Sequence, residues 1–241
     1  MIEIEGVSKT YNGKVKAVDG LTLTVAEGGI VGFLGPNGAG KTTTLKMITG
    51  ILSPDAGSIR VNGMDITKRP VDVKRVIGYV PDNPDQFLKL KGREYLRFMA
   101  DMYGVSEADR NERAGRLAGT FEMTASLAET LQSYSHGMRQ KIVLIGALLH
   151  DPDVFILDEP LTGLDPKSSF TLKEILRERA RAGRTVFFST HVLDVAERLC
   201  DRVAVIHRGK LLFSGTLEEM KTRAGADATL ERMFLEMTED A

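Results

Sequence analysis

The chain has 241 residues, 42% of them hydrophobic, with 32 basic against 33 acidic side chains for a net charge of −1. That is enough for one sizeable core with a sub-lobe, and it excludes the bulk positive field of a nucleic-acid binder, so any phosphate recognition must be local. The single cysteine, Cys200, excludes an intrachain disulfide and a cysteine-built metal site, fits a reducing compartment, and reads as a small buried apolar side chain.

In chain order, Ile2 to Tyr11 and Lys16 to Val25 read as two strands joined by an Asn12-Gly13 turn, an antiparallel flap. The start Met1-Ile2-Glu3-Ile4-Glu5 alternates like a strand. No run approaches the ~18 apolar residues needed to span a bilayer, so a soluble, non-exported chain is expected. The apolar run Ile30 to Leu34 is a strand, and Thr43 to Ile48 a helix that stops at Thr49-Gly50. After the turn Ser53 to Gly57 come a strand at Ser58 to Val61, a helical piece at Val71 to Arg75 and a strand at Val76 to Val80. Glu94 to Met102, Ser106 to Thr120 and Gly137 to Leu149 are helix-length segments with apolar spacings of three and four and no strand between them, a helical insert. Strands resume at Val154 to Leu157, Thr185 to Phe188 and Arg202 to Ile206, separated by helices at Pro166 to Arg181 and Val192 to Leu199. Continuous apolar strands alternating with helices predict a parallel sheet covered on both faces, and Lys210 to Ser214 adds a last strand before a helical tail.

Between the strand at 30–34 and the helix after it lies Gly35-Pro36-Asn37-Gly38-Ala39-Gly40-Lys41-Thr42. Glycines let such a loop turn with positive φ and aim backbone N–H groups inward, where the N-terminus of the next helix adds roughly half a positive charge. Lys41 then reaches the β/γ-phosphates of a polyphosphate guest. Thr42 places its hydroxyl on Mg²⁺, and Thr43 stands where a second hydroxyl meets the α-phosphate. Val154-Phe155-Ile156-Leu157-Asp158-Glu159-Pro160 delivers two adjacent carboxylates to the C-terminal edge of the sheet, where ligands bind. Such a pair serves either as a helix cap or as a site. Beside a phosphate cradle the site reading is preferred, with Asp158 for Mg²⁺ and Glu159 as the base for an attacking water. His191, just past Thr190, is a third candidate at that edge, able to hydrogen-bond a γ-phosphate. His136, His150 and His207 share no ligand spacing. Tyr11 either stacks on a purine ring or closes the edge of the flap.

These residues together resemble the nucleotide-binding subunit of an ATP-binding cassette (ABC) transporter, nearest the multidrug or ABC-2-type exporter branch, over nearly the whole chain. The resemblance implies a P-loop NTPase core with a mostly parallel sheet, an antiparallel β flap and a helical subdomain. The implied boundaries are 1–82 and 150–215 for the core with its flap, 83–149 for the helical subdomain and 216–241 for a short tail. Tyr11 matches the adenine-stacking aromatic, His191 the switch histidine, and Leu161-Thr162-Gly163-Leu164-Asp165 the D-loop. Tyr134-Ser135-His136-Gly137-Met138 resembles the signature, usually Leu-Ser-Gly-Gly-Gln, and departs from it at three of five positions. It keeps the serine and the second glycine. The resemblance implies that Ser135 and Gly137 reach the γ-phosphate held by a second copy or a homologous subunit in a head-to-tail dimer. Ser135 alone reads equally as an ordinary helix N-cap.

Where the family usually has a glutamine, this chain has Asp82, which either binds Mg²⁺ more tightly than an amide or repels a γ-phosphate when the metal is absent. The implied function is an Mg²⁺-dependent ATPase at the cytoplasmic face of a membrane, powering separate membrane-spanning subunits, with export preferred and no nucleic acid expected. The alternative is a cytosolic ABC ATPase that clamps DNA or the ribosome. The loop Asp82 to Leu90 has two prolines and reads as a hinge, with Phe87, Leu88 and Leu90 either buried against the next helix or lining a groove for a helix of a membrane subunit.

Overall fold

The computed structural model describes residues 1–224 and 230–239. The part of the predicted tail at 225–229 and 240–241 lies outside them. Six strands form the central sheet in the order β10-β9-β3-β8-β7-β6, from β3 (Ile30–Leu34), β6 (Ile77–Val80), β7 (Val154–Asp158), β8 (Thr185–Thr190), β9 (Arg202–His207) and β10 (Lys210–Thr216). All neighbours are parallel except β10, which pairs antiparallel with β9 at the edge. Strands β3, β7 and β8 are buried at every residue, as a sheet covered on both faces requires. Phe33 and Phe187 meet across β3 and β8 with ring centroids 5.4 Å apart.

The flap is larger than the sequence suggests. Strands β1 (Ile2–Tyr11) and β2 (Val15–Val25) pair antiparallel as expected, but β4 (Ala56–Val61) joins the free edge of β1, and a two-residue strand β5 (Met64–Asp65) extends it. Ile2 pairs with Val25 on one side and Val61 on the other, so β1 is a middle strand hydrogen-bonded along both edges.

The helices are α1 (Lys41–Ile48), α2 (Pro70–Val76), α3 (Gly92–Met102), α4 (Glu107–Thr120), α5 (His136–Leu148), α6 (Pro166–Arg181), α7 (Leu193–Leu199), α8 (Leu217–Ala224) and α9 (Leu230–Glu239). Between β6 and β7 the chain is helical, with α3 and α5 packed through Tyr95, Leu96, Leu144 and Ile145. Close approach dictates Gly146 on α5, since a Cβ there would sit 2.8 Å from the Tyr95 ring. Helix α3 starts at Gly92, two residues before the expected Glu94, because the Lys91 N–H donates to the Glu94 carboxylate at 2.9 Å and closes the first turn. Helix α6 has the predicted limits, with Asp165 as N-cap and Pro166 in its first turn.

Candidate nucleotide site and signature turn

The loop from Gly35 to Gly40 is tightly built. A Cβ on Gly35 would lie 2.4 Å from the Ile206 carbonyl oxygen, and one on Gly40 2.4 Å from that of Ala17, while φ at Gly40 is +109°. Only glycine fits both places. Gly40 is also the N-cap of α1, and no side chain caps that helix, so the N–H groups of its first turn face the loop, as an anion requires. Ala39 is buried and its N–H donates to Pro36 O at 3.1 Å, which holds the loop closed.

Lys41 is 6% exposed and its Nζ donates to Gly35 O at 2.6 Å and Pro36 O at 3.2 Å, with Glu159 Oε1 at 3.6 Å. That same carboxylate oxygen lies 2.9 Å from His191 Nδ1. Glu159 adopts φ +48°, a left-handed conformation that costs a side-chain-bearing residue about 1–3 kcal/mol, and its N–H is held by Ser189 O at 3.2 Å and Ser189 Oγ at 3.1 Å. The strand end thus turns sharply and points the Glu159 carboxylate at the lysine. These residues line a cleft of about 480 Å³ together with Pro36, Asn37, Gly38, Gly40, Thr42, Thr43 and Asp82. Ala17 and Thr162 complete its wall.

Asp158 lies beneath, fully buried. Its Oδ1 accepts the Ser189 hydroxyl at 2.5 Å, and its Oδ2 is buried with no hydrogen-bond partner among the described residues. A buried carboxylate oxygen left unpaired is costly unless a cation or water meets it. Burial, then the charges of Asp158 and Asp82, push the Tyr79 phenol well above its ordinary range. The donor set of Asp158, Thr42 and Asp82 is all oxygen, which suits a hard divalent cation.

Tyr11 stands at the rim, half exposed, its hydroxyl 3.5 Å from Thr43 Oγ1. Three expected residues lie outside the cleft and form a second group. Ser135 caps α5, accepting the Met138 N–H at 3.3 Å, and is exposed. A Cβ on Gly137 would stand 2.7 Å from Gly163 O, so the signature turn rests directly on the 161–165 loop. Asp165 caps α6 through Ser168 N at 2.9 Å and pairs with Lys141 Nζ at 2.7 Å. The Lys141 hydrogen bond, then those of Ser168, hold the Asp165 carboxyl far below its usual range.

The sequence reading missed Ser189, Gln140 and Lys141. Ser189 pairs with Asp158 across β7 and β8, a register that no local pattern reveals, although a small polar residue ending an apolar strand was a faint signal. Gln140 is buried in α5 with its Nε2 donating to Pro160 O at 3.4 Å. A polar residue inside an apolar helix was its signal.

A glycine loop between a buried strand and an uncapped helix, faced by a strand-end Asp-Glu pair, defines a P-loop nucleoside triphosphatase. Residues 18–162 match the family model described as ABC transporter. The daunorubicin/doxorubicin resistance ATP-binding protein DrrA of Streptomyces peucetius is 40% identical over 96% of this chain and 70% of its own length. The ABC transporter ATP-binding protein NatA of Bacillus subtilis is 37% identical over 91% of each, and the linearmycin resistance ATP-binding protein LnrL of the same organism 34% over 96% and 74%. A solved ATP-binding subunit of an ABC transporter superposes with a TM-score of 0.93 at 34% identity, over 98% of this chain and 99% of that one. A dimeric bacterial ABC transporter cassette superposes at 0.82 with 25% identity, over 90% and 99%. The chain belongs to the ABC transporter family, as an ATP-binding and ATP-hydrolysing subunit.

Proposed function

We propose that this chain is the motor subunit of an exporter, closing on MgATP as a head-to-tail dimer and reopening after hydrolysis. The observation that carries this is the convergence of Lys41, Glu159 and His191 above Asp158. Lys41 would trade its loop carbonyls for the β/γ-phosphates. Glu159 takes the proton of the attacking water. His191, on the same carboxylate oxygen, orients it and senses the γ-phosphate. Asp158 Oδ2 and the Thr42 hydroxyl, with Asp82 beside them, would hold Mg²⁺, which when bound neutralises charge on the β/γ-phosphates. Tyr11 supports the adenine. Ser135, Gly137 and Asp165 act on the nucleotide of the partner copy, a role supported by their absence from the cleft lining and by the exposure of Ser135 and Asp165. Drug-resistance names among similar proteins support export over import, and none of the named relatives supports a DNA or ribosome clamp.

The division proposed is a nucleotide half at 1–82 and 150–215, a helical subdomain at 83–149 and a tail at 216–241. Membrane attachment falls to separate membrane-spanning subunits at the cytoplasmic face, since no helix among the described residues is long and apolar enough to cross a bilayer. Their seat is the apolar patch of Phe87, Phe98 and Met102, where Phe87 is 46% exposed with its ring 5.2 Å from that of Phe98 and 5.9 Å from that of Tyr95. Leu88 and Leu90 pack inward instead.

The test is Glu159→Gln, which keeps the hydrogen-bonding shape and removes the basicity. Hydrolysis falls by about 10²-fold or more while ATP binding persists, and sedimentation shows dimers with MgATP that EDTA disperses. Hydrolysis at the parental rate refutes the assignment of the base, and a strictly monomeric variant refutes the dimer.

A further inference from the structure

Arg139 sits in the first turn of α5, its N–H donating to Ser135 O at 3.0 Å. Its guanidinium holds three acceptors on two other segments. Nε donates to Leu131 O at 3.1 Å, Nη2 to Gln132 O at 3.0 Å, and Nη1 to the Asp85 carboxylate at 2.8 Å. Asp85 belongs to the loop that begins at Asp82, and its own N–H is fixed by Asn83 Oδ1 at 2.8 Å. The loop is joined to the same turn a second time, by Gln132 N to Leu88 O and Leu131 N to Leu90 O, both at 2.9 Å. The carbonyl contacts cap a turn that precedes the helix, as any arginine here could. The Asp85 contact does not. It spans 54 residues, is made by a side chain to a side chain, and ties the signature turn to a point three residues past Asp82 and two before Phe87. A planar fork with five donors on three nitrogens spreads over all three acceptors at once, whereas an ammonium's three donors radiate from a single atom.

We propose that Arg139, acting through Asp85, is a positioning residue for ATP hydrolysis, locking Ser135 and Gly137 to the 82–90 loop so that the Phe87 patch and the signature turn move as one piece. The inference rests on the dimer reading above, in which Ser135 serves the partner's nucleotide. A body seated on Phe87 then steers Ser135 directly, with no route through the nucleotide site. The pair is partly screened, with side-chain exposures of 20% and 43%, so its expected worth is that of a good but wetted charge pair.

The experiment uses the full chain in the Glu159→Gln background, with Asp85→Ala, Asp85→Glu, Arg139→Lys and the double variant Asp85→Ala/Arg139→Lys. Asp85→Ala weakens MgATP-driven dimerisation about fivefold and leaves the thermal midpoint and the ATP affinity of the dilute monomer unchanged. Asp85→Glu restores dimerisation. In the Arg139→Lys background Asp85→Ala has no further effect, because the two act as one unit. Dimerisation of Asp85→Ala equal to its parent, or additive losses in the double variant, overturns the proposal. A parent that itself stays monomeric takes down the dimer reading and this assignment together, whereas a dimerising parent with an unaffected Asp85→Ala refutes this assignment alone.

Discussion

The nucleotide cradle and the signature turn are both helix N-termini preceded by a loop, yet they are finished to different degrees. In the cradle the polar groups answer one another: Lys41 on its loop carbonyls, Glu159 beside both Lys41 and His191, Asp158 on Ser189. Most of it is buried, and the local backbone strain at Glu159 is held by its N–H donating to both the carbonyl and the hydroxyl oxygen of Ser189. At the signature turn Ser135 and His136 are exposed, and the serine hydroxyl spends one lone pair on its own helix. A buried, largely paired site that leaves one Asp158 oxygen and the uncapped N–H groups of α1 open has what it needs to bind alone, whereas an exposed turn on a rigid mount suits the proposed role of binding what a second molecule brings. The mount is rigid because Gly137 rests on Gly163 and Lys141 reaches Asp165, so turn and D-loop share one support.

That contrast can be broken by single changes. The largest effect is expected from Ser135→Arg, which on the proposed head-to-tail dimer would place a bulky cation where the partner's nucleotide docks. Turnover falls by ~10²-fold or more, while ATP binding to the dilute monomer, measured by calorimetry, stays within twofold of the parent. An equal loss in monomer affinity would erase the distinction between the two regions.

Ser189→Ala attacks the cradle's self-satisfaction. It removes the hydroxyl from a fully buried carboxylate and one of the two anchors of the strained Glu159, for a loss of about 1–3 kcal/mol in denaturant unfolding and a lower turnover number. Unchanged stability would mean that water already replaces the hydroxyl. For the proposed partner surface, Phe87→Ala trims the central ring of an aromatic cluster, and about 1–2 kcal/mol of affinity for the proposed membrane-spanning subunit should go with it, read by co-sedimentation with reconstituted partner.

A pH-dependent effect sharpens the view of how the helices are fastened to the sheet. His150 stacks on Tyr103 with ring centroids 3.6 Å apart, and its Nε2 lies 3.1 Å from Ile77 O at the start of β6. Burial, outweighing the Ile77 hydrogen bond, lowers its pKa to about 4 from 6.5. Between those values the unfolded chain takes up a proton that the folded chain refuses. Stability therefore drops as pH falls from 6.5 toward 4 and levels below that, by about 3 kcal/mol at most. His150→Phe keeps the stack and should flatten that part of the profile in urea titrations. A profile identical to the parent would assign the acid sensitivity elsewhere.

The nucleotide half was legible because its signals are local. Strand, glycine loop and helix follow one another within 19 residues, Ile30 to Ile48, and the carboxylate pair sits at the end of one apolar strand. Gly35 and Gly40 were readable as a pattern, though the reason for them, the carbonyls of Ile206 and Ala17, was not. What escaped was pairing at a distance. Ser189 finds Asp158 through sheet register, β4 finds β1 across two intervening strands and a helix, and Arg139 finds Asp85 across α3 and α4. Phe87, Leu88 and Leu90 were left between two fates in sequence; the structure parts them, with Phe87 exposed at a positive φ of +55° and Leu88 and Leu90 packed inward, a local backbone turn that no apolar spacing announces.

The central claim, that one chain completes the cradle and lends its signature to another, is tested most directly by mixing two dead variants. Lys41→Ala has no working cradle and an intact signature; Ser135→Arg has the reverse. Each is expected to be inactive alone, and an equimolar mixture to regain ATP hydrolysis from the one composite site that joins the intact cradle to the intact signature. A mixture as inactive as its components, under conditions where the two chains demonstrably co-sediment with MgATP, would contradict the account.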